Sequence, residues 1–351
     1  MNVDHSLLPT DSLVLVTAAN GFLASHIANQ LLHAGFRVRG TVRDAASPKY
    51  AWLQYLFDAS HGPDRFHLVS VPDIAADGAF DDAVKGVDAV AHVGSVVGKD
   101  ASGTLDSIVA PVIKGALEPL KSAAREDSVK SFVFTSTSNA AYSPRAGEGG
   151  DVDEGTWNEE SVRELLRLGE GGDAVQRTLA AYSASKMEAE RAVWRWVEEN
   201  KSRFMVNTVL PSVNFGRSLD PKNQGHPTTS GWPVALATDT VPEYMWSLVP
   251  PQYYIDVEDT ALLHVAALTR PDLKGNRIFG FVEEFNWNTL LHALRRIYPE
   301  KVFYEDREGQ DHDLSRILGA SKAEKILRDM GRPGWKGLEE SLRENLEDIE
   351  L

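Results

Sequence analysis

Short apolar runs alternate with amphipathic stretches through the first two-thirds of the chain. Leu13–Thr17 is apolar on both faces, and the spacing from Gly21 to Ala34 then predicts a helix that stops at Gly35. The buried-strand pattern recurs at Phe36–Thr41, Phe66–Val71, Val87–Val93, Ser131–Thr135 and Phe204–Leu210. Helical spacing lies between these runs, over Tyr50–Ala59, Asp77–Lys85, Thr104–Glu126 and Leu179–Asn200. Pro111 and Pro119 are expected to kink or interrupt the third of these helices, because proline lacks an N–H and crowds the preceding turn. Strands apolar on both faces, alternating with helices, specify an α/β fold with a Rossmann-type doubly wound parallel sheet.

The rhythm breaks at Gly147–Gly172, which is full of glycines and carboxylates and reads as an exposed loop with one short helix, Glu159–Leu168. From Pro211 to Pro251 the chain is rich in Pro, Gly, Ser and Thr, as loops facing a substrate are. Tyr254–Leu268 returns to a strand-then-helix pattern and is expected to rejoin the nucleotide lobe. Further helices are expected at Thr289–Tyr298, Ser321–Met330 and Leu338–Glu347. The chain thus divides into a dinucleotide-binding domain, 1–210 plus 253–280, and a smaller, mostly helical substrate lobe, 211–252 plus 281–351.

Charge narrows the partners. The 36 basic residues against 51 acidic ones leave a net charge of -15, which repels nucleic acid but allows one phosphorylated cofactor in a local basic pocket. The chain has no cysteine, so disulfides and thiolate metal sites are excluded and no metal is expected. No run of 18 apolar residues spans a membrane, and Asp4 and His5 stand where an export leader carries basic residues, so the cytoplasm is the expected location.

Between the first strand and the first helix stands Thr17-Ala18-Ala19-Asn20-Gly21-Phe22-Leu23-Ala24, where a dinucleotide fold places its pyrophosphate on unpaired helix N–H groups. Alanine replaces the usual glycine at positions 18 and 24, and the turn survives if Ala18 keeps a negative φ. The second strand ends in Val38-Arg39-Gly40-Thr41-Val42-Arg43-Asp44. Arg39 and Arg43 suit a 2′-phosphate, and so NADPH over NADH, while Asp44 either meets a ribose or pairs with Arg43. Asp73 and Ile74 close the third strand, where such a pair can hold an adenine. His92-Val93-Gly94 closes the fourth with small residues, beside which a cofactor can pass.

Tyr182-Ser183-Ala184-Ser185-Lys186 puts a phenol and an ammonium one turn apart on one helical face. An ammonium beside a phenol favours the phenolate and draws its pKa toward the working range. Thr135-Ser136-Thr137-Ser138 ends a buried strand in hydroxyls, one of which can steady a carbonyl oxygen. Tyr142, Trp232 and Tyr253 offer large aromatic surfaces, either as packing between lobes or as the wall of a pocket for hydrophobic or aryl carbonyl compounds. Asn214 and Gln252 lie on the loops that would border it.

Taken in order, these motifs resemble the extended short-chain dehydrogenase/reductases, specifically the dihydroflavonol-reductase-like group with the fungal and yeast aldehyde (carbonyl) reductases. The likeness runs through Val38–Arg43, Phe134–Thr137, Tyr182–Lys186, Val209–Ser212 and Pro250–Tyr254. It continues in Phe285-Asn286-Trp287-Asn288-Thr289 and Gly331-Arg332-Pro333-Gly334-Trp335. The resemblance implies NADPH-dependent reduction of a ketone or aldehyde by a monomer or homodimer, with Tyr182 protonating the oxygen. It also implies that Lys186 holds the nicotinamide ribose, that Thr137 binds the carbonyl, and that Pro211 and Val213 line the nicotinamide. Ser136 and Ser138 stand close enough to compete for the role of Thr137. Two other readings use the same residues. A sugar-nucleotide epimerase or dehydratase needs a diphosphate clamp, for which Pro211–Pro251 offers only Arg217 and Lys222 as basic residues. An idle cofactor-binding regulator would not need Thr137, Tyr182 and Lys186 together.

Overall fold

The computed structural model describes residues 6–96 and 103–351. Asp4 and His5, on which the reading of the N-terminus rested, lie outside the described residues. The strands expected of a parallel sheet form it. In chain order the first elements are β1 (Leu13–Val16), α1 (Phe22–His33), β2 (Arg37–Val42), α2 (Ala51–His61), β3 (Phe66–Ser70), β4 (Ala89–His92), α3 (Leu105–Arg125) and β5 (Ser131–Thr135). Then come β6 (Asp151–Val152), α4 (Glu159–Leu168), α5 (Ala174–Asn200), β7 (Met205–Pro211), β8 (Val213–Phe215), α6 (Pro221–Gln224), α7 (Gly231–Ala237) and α8 (Met245–Leu248). The chain finishes with β9 (Gln252–Asp256), α9 (Val257–Thr269), β10 (Arg277–Gly280), β11 (Glu284–Phe285), α10 (Trp287–Ile297), β12 (Arg316–Ile317), α11 (Ala320–Asp329) and α12 (Leu338–Asn345).

Seven strands pair in the order β10-β7-β5-β4-β1-β2-β3, all parallel. The order reverses at β1, so the carboxyl ends of β1 and β4 open the crevice in which such folds bind their ligands. Apolar side chains of α1, α2, α9 and α11 cover one face, among them Ile27, Leu31, Phe57 and Leu263. The other face is covered by α3, α5 and the turns after β3, through Leu120, Val193, Phe80 and Val84. A third core, with Phe215, Trp246, Tyr254, Trp287 and Leu342, lies apart from these two.

Four local expectations are corrected. Asp77–Lys85 is a chain of turns, not a helix. Its apolar spacing is real, because Phe80 and Val84 are buried, but Gly78 and Gly86 take φ +69 at either end and break the helical run. Helix α3 holds both prolines inside one element, packed along α5. Helix α5 starts at Ala174, five residues early, because the Asp173 side chain accepts from the N–H groups of Val175 and Gln176. Strand β9, expected to rejoin the nucleotide lobe, pairs instead with β8 and β11 in a separate three-stranded sheet, and only α9 and β10 return to the large one. The glycine-rich loop also contributes β6, which pairs in parallel with β12.

The C-terminal segment is clasped to the start of α9 by charge. Lys336 Nζ lies 3.3 Å from Asp256 and 3.1 Å from Glu258, and it donates to Glu344 at 2.6 Å. Burial works against the Glu258 charge, but Lys336 and Arg332 overcome it and hold its pKa near 2.

Close approach decides one glycine. A Cβ on Gly40 would sit 2.7 Å from the Ala19 Cβ and 2.8 Å from Phe66. Both neighbours are buried and neither can withdraw, so Gly40→Ala is expected to destabilise the fold by about 1–3 kcal/mol. Thermal denaturation checks this, and an unchanged midpoint would show that β2 can shift away from the turn.

Candidate active site

The sheet's carboxyl edge forms one wall of a cleft of about 1300 Å³, and the segments around Pro227–Trp232 and Met245–Gln252 form the other. That volume exceeds what a single small molecule usually needs. The turn after β1 reaches it through Asn20, Gly21, Phe22, Leu23 and Ala24. No side chain caps α1 at Gly21, so its first N–H groups are left for an anion.

Two residues expected there act from behind. Thr17 is fully buried, and its hydroxyl accepts from the N–H groups of Val93 and Gly94, both at 2.9 Å. Its own proton therefore goes to His92 Nδ1, 2.9 Å away, and burial keeps that imidazole neutral with a pKa near 3. Thr17 thus pins β1 to β4 beside the crevice. Ala19 is equally buried, its side chain fills the space over Gly40, and its N–H is taken by Thr41 O at 2.9 Å. Val93 lines the cleft as expected, and Gly94 presents it with no side chain.

Ala18 does not keep the negative φ expected of it. Its φ is +52, the left-handed region where an L-residue costs about 1–2 kcal/mol. The turn is held there by two bonds, from Ala18 N–H to Thr41 Oγ1 at 3.0 Å and from Gly21 N–H to Ala18 O at 2.9 Å.

The two arginines of β2 separate. Arg39 turns away from the cleft, giving Nη1 to the carbonyls of Ala83 and Lys85, each at 2.8 Å, and Nε to His67 at 3.0 Å. Its guanidinium closes the turns after β3 and is not placed for a 2′-phosphate. Arg43 is exposed just past the end of β2 and has no hydrogen-bond or ion-pair partner among the described residues. Asp44 does not pair with it, because its carboxylate accepts from Ala46 N–H at 3.1 Å. Lys49, which carries no distinguishing signal in the sequence, lines the cleft from the short turn just before α2. Asp73 and Ile74 are not on the cleft wall. Asp73 turns its carboxylate to Ala75 N–H at 2.9 Å, and Ile74 sits beside Gly94 and Gly115.

The chemical centre assembles where β5 meets α5. Three consecutive residues leaving the strand each meet a different residue of one helical face. The carbonyl of Thr135 accepts from Lys186 Nζ at 2.8 Å. The hydroxyl of Ser136 donates to Glu190 at 2.7 Å. The hydroxyl of Thr137 faces the Tyr182 phenol closely enough to lower its pKa. Ser136 is thereby committed elsewhere and Thr137 is the hydroxyl on the tyrosine, although Ser138 also lines the cleft. Tyr182 leaves 44% of its surface open toward the cleft it lines. Desolvation pushes its phenol above the ordinary value, and the Thr137 hydroxyl acts the other way. The expected lowering by Lys186 is not what sets it, because the ammonium faces Thr135 O and the Phe134 ring, 4.8 Å from its centroid. Burial brings Lys186 itself down to about 8, and Glu190 opposes that fall.

Behind Thr135 stands His264. Its Nδ1 faces the Thr260 carbonyl at 2.8 Å and must carry the proton, so Nε2 accepts from Thr135 Oγ1, also at 2.8 Å. Burial keeps it neutral at about 4.

Of the remaining expected residues, Pro211, Val213, Asn214, Trp232 and Gln252 line the cleft. Tyr142 and Tyr253 do not. Their hydroxyls donate to Asp313 at 2.8 Å and to Ser315 O at 2.7 Å, and both rings pack on Phe281. Met245, Leu248 and Val249 take that place on the wall. Arg217, a candidate for a diphosphate clamp, is paired with Glu344 at 3.4 Å and Glu347 at 3.5 Å, and neither it nor Lys222 reaches the cleft.

A crevice at the sheet's reversal point, an uncapped helix start and a Thr–Tyr–Lys centre define an oxidoreductase of the short-chain dehydrogenase/reductase class. The chain belongs to the NAD dependent epimerase/dehydratase family, whose pattern matches residues 14–280. It is 43% identical over 343 residues to aldehyde reductase 2 of Sporidiobolus salmonicolor, covering 97% of both chains. It is 37% identical over 342 residues to ketoreductase adrE of Penicillium rubens, covering 96% of each. The fold superposes on the crystal structure of Gre2 in complex with NADPH from Candida albicans with a TM-score of 0.79, at 24% identity over 96% of this chain and 98% of that one.

Because glycine adopts φ +52 without strain, Ala18→Gly is expected to stabilise the protein by about 1 kcal/mol. Calorimetry should show the midpoint rising by roughly 1–2 °C, since the unfolding entropy of a chain this long is about 0.7 kcal/mol/K. A fall would mean that Ala18 contributes more by packing than its backbone costs.

Proposed function

We propose that this chain reduces ketones and aldehydes with NADPH, acting in the cytoplasm on uncharged apolar or aryl compounds. The observation that carries the reading is a Tyr182 phenol open to the cleft, with the Thr137 hydroxyl acting on it and a buried Lys186 one helical turn along, in a cleft that begins on an uncapped helix. The residues present fit a nicotinamide dinucleotide phosphate. The N–H groups of Phe22, Leu23 and Ala24 would take the pyrophosphate, and Gly94 leaves room beside them. Arg43, with no other partner among the described residues, and Lys49 would take the 2′-phosphate. When bound, the nicotinamide supplies the hydride.

The side chains do the rest. Thr137 and Tyr182 hold the carbonyl oxygen between two hydroxyls, which polarises the bond and leaves the carbon open to hydride. Tyr182 then gives its proton to the developing alkoxide, and its raised pKa keeps that proton in place at neutral pH. Lys186 keeps positive charge beside the Thr135 carbonyl, one helical turn from the phenol, and would hold the nicotinamide ribose. Trp232, Met245, Leu248 and Val249 give the substrate end an apolar wall. Arg145, a cation on that wall, is already paired with Glu160 at 3.0 Å, which favours an uncharged substrate.

NADPH oxidation followed at 340 nm with aryl ketones, keto esters and aldehydes tests the reading, and failure on every carbonyl would overturn it. Tyr182→Phe should lower kcat by about 10²–10⁴-fold while NADPH still binds. Arg43→Ala should raise KM for NADPH about tenfold or more and leave NADH unchanged, since one charge-assisted contact is worth roughly 1.5–3 kcal/mol. Arg39→Ala should cost stability and not change the cofactor preference. Lys186 is charged below about pH 8 and neutral above it, so kcat/KM for reduction should fall as pH rises through that value. A profile flat to pH 10 would remove Lys186 from the mechanism.

A further inference from the structure

We propose that Glu190 is a positioning residue of this active site, whose buried carboxylate fixes the strand exit at Ser136 and places a negative charge one helical turn beyond Lys186. The proposal rests on the reductase reading above. Glu190 is fully buried on α5, four residues after Lys186 and eight after Tyr182, so all three share one helical face. Its oxygens accept from Ser136 Oγ at 2.7 Å, Thr208 Oγ1 at 2.8 Å, Arg277 Nε at 2.8 Å and Nη2 at 3.3 Å, and Trp194 Nε1 at 3.3 Å. One carboxylate therefore ties the end of β5, the middle of β7 and the start of β10 to the catalytic helix.

A buried ion pair gains a fold little over apolar residues of the same volume, so this one calls for another account. Two consequences reach the chemistry. Ser136 precedes Thr137, so fixing its side chain fixes where the next hydroxyl meets Tyr182. The negative charge also acts on Lys186, raising the ammonium's hold on its proton against burial. The other groups near Lys186 do not share that task. Tyr182 is a raised phenol on the same helix, while His92 of β4 and His264 of α9 are held neutral by burial. Arg277 of β10 lies on the far side of Glu190, with Nη1 on the carbonyls of Glu154 and Thr156 and its plane 3.8 Å from the centroid of the Trp157 ring.

The test compares Glu190→Gln and Ser136→Ala with the parent protein, following kcat/KM for reduction and the NADPH dissociation constant from pH 6 to 10. Glu190→Gln leaves Arg277 buried without a counter-charge, so the paired Glu190→Gln/Arg277→Gln chain is made beside it. The Glu190 variants are expected to move the alkaline limb of both profiles to lower pH and to lower kcat by about 10–100-fold. Ser136→Ala is expected to lower kcat and leave the limb in place. A limb that stays at the parent pH in a folded Glu190 variant overturns the proposal, as does a Ser136→Ala limb that moves as far. A parent protein that neither reduces carbonyls nor binds NADPH overturns the reductase reading and this proposal with it. Parent activity with unmoved limbs overturns this proposal alone.

Discussion

The bond from Lys186 to the Thr135 carbonyl is where sheet and chemistry become one object. A parallel strand that ends in a cleft leaves backbone groups without ladder partners, and each must find another. Here the Thr135 carbonyl and the Ser136 hydroxyl find theirs on α5, while Thr135 Oγ1 is taken by His264 from the opposite layer. The strand exit is therefore clamped between two helices that pack on different faces of the sheet. A shift of either helix would displace the phenol and the hydroxyl that must meet the same oxygen.

The same economy appears on the nucleotide side. Thr17 is hydrogen-bonded to His92, Val93 and Gly94 at once, so its hydroxyl is used within the fold. These bonds hold two strand ends apart at a fixed spacing, and the surfaces left open are backbone N–H groups and a glycine. Binding and support are thus divided between residues one or two positions apart in the chain.

That division limits what the sequence can disclose. Strand and helix alternation marks the sheet because burial on both faces leaves a strong pattern, and the spacing of Tyr182 and Lys186 survives into the helix unchanged. Arg39 is different. Within a strand it looks as available to a phosphate as Arg43, and only the folded chain brings the carbonyls of Ala83 and Lys85 to it. Tyr142 and Tyr253 were open between packing and pocket for the same reason, and their partners, Asp313 and Ser315, lie more than sixty residues away. Glu190 and His264 escaped notice because a single Glu or His on an amphipathic helix carries no local signal. The early start of α5 turned on one cap, Asp173, at the end of a glycine-rich loop.

The pairing of β6 with β12 has a consequence for how the protein is made. Residues 151 and 316 are partners across 165 positions, so the wall carrying Glu160 and the glycine-rich loop has no edge to pair with until the C-terminal segment leaves the ribosome. Strands β1 to β5 can form their ladder well before that. During synthesis the sheet and its nucleotide turn would exist for a time beside an unfinished substrate side, so a nascent chain stalled after residue 300 would be a cofactor-side scaffold with its last wall unpaired.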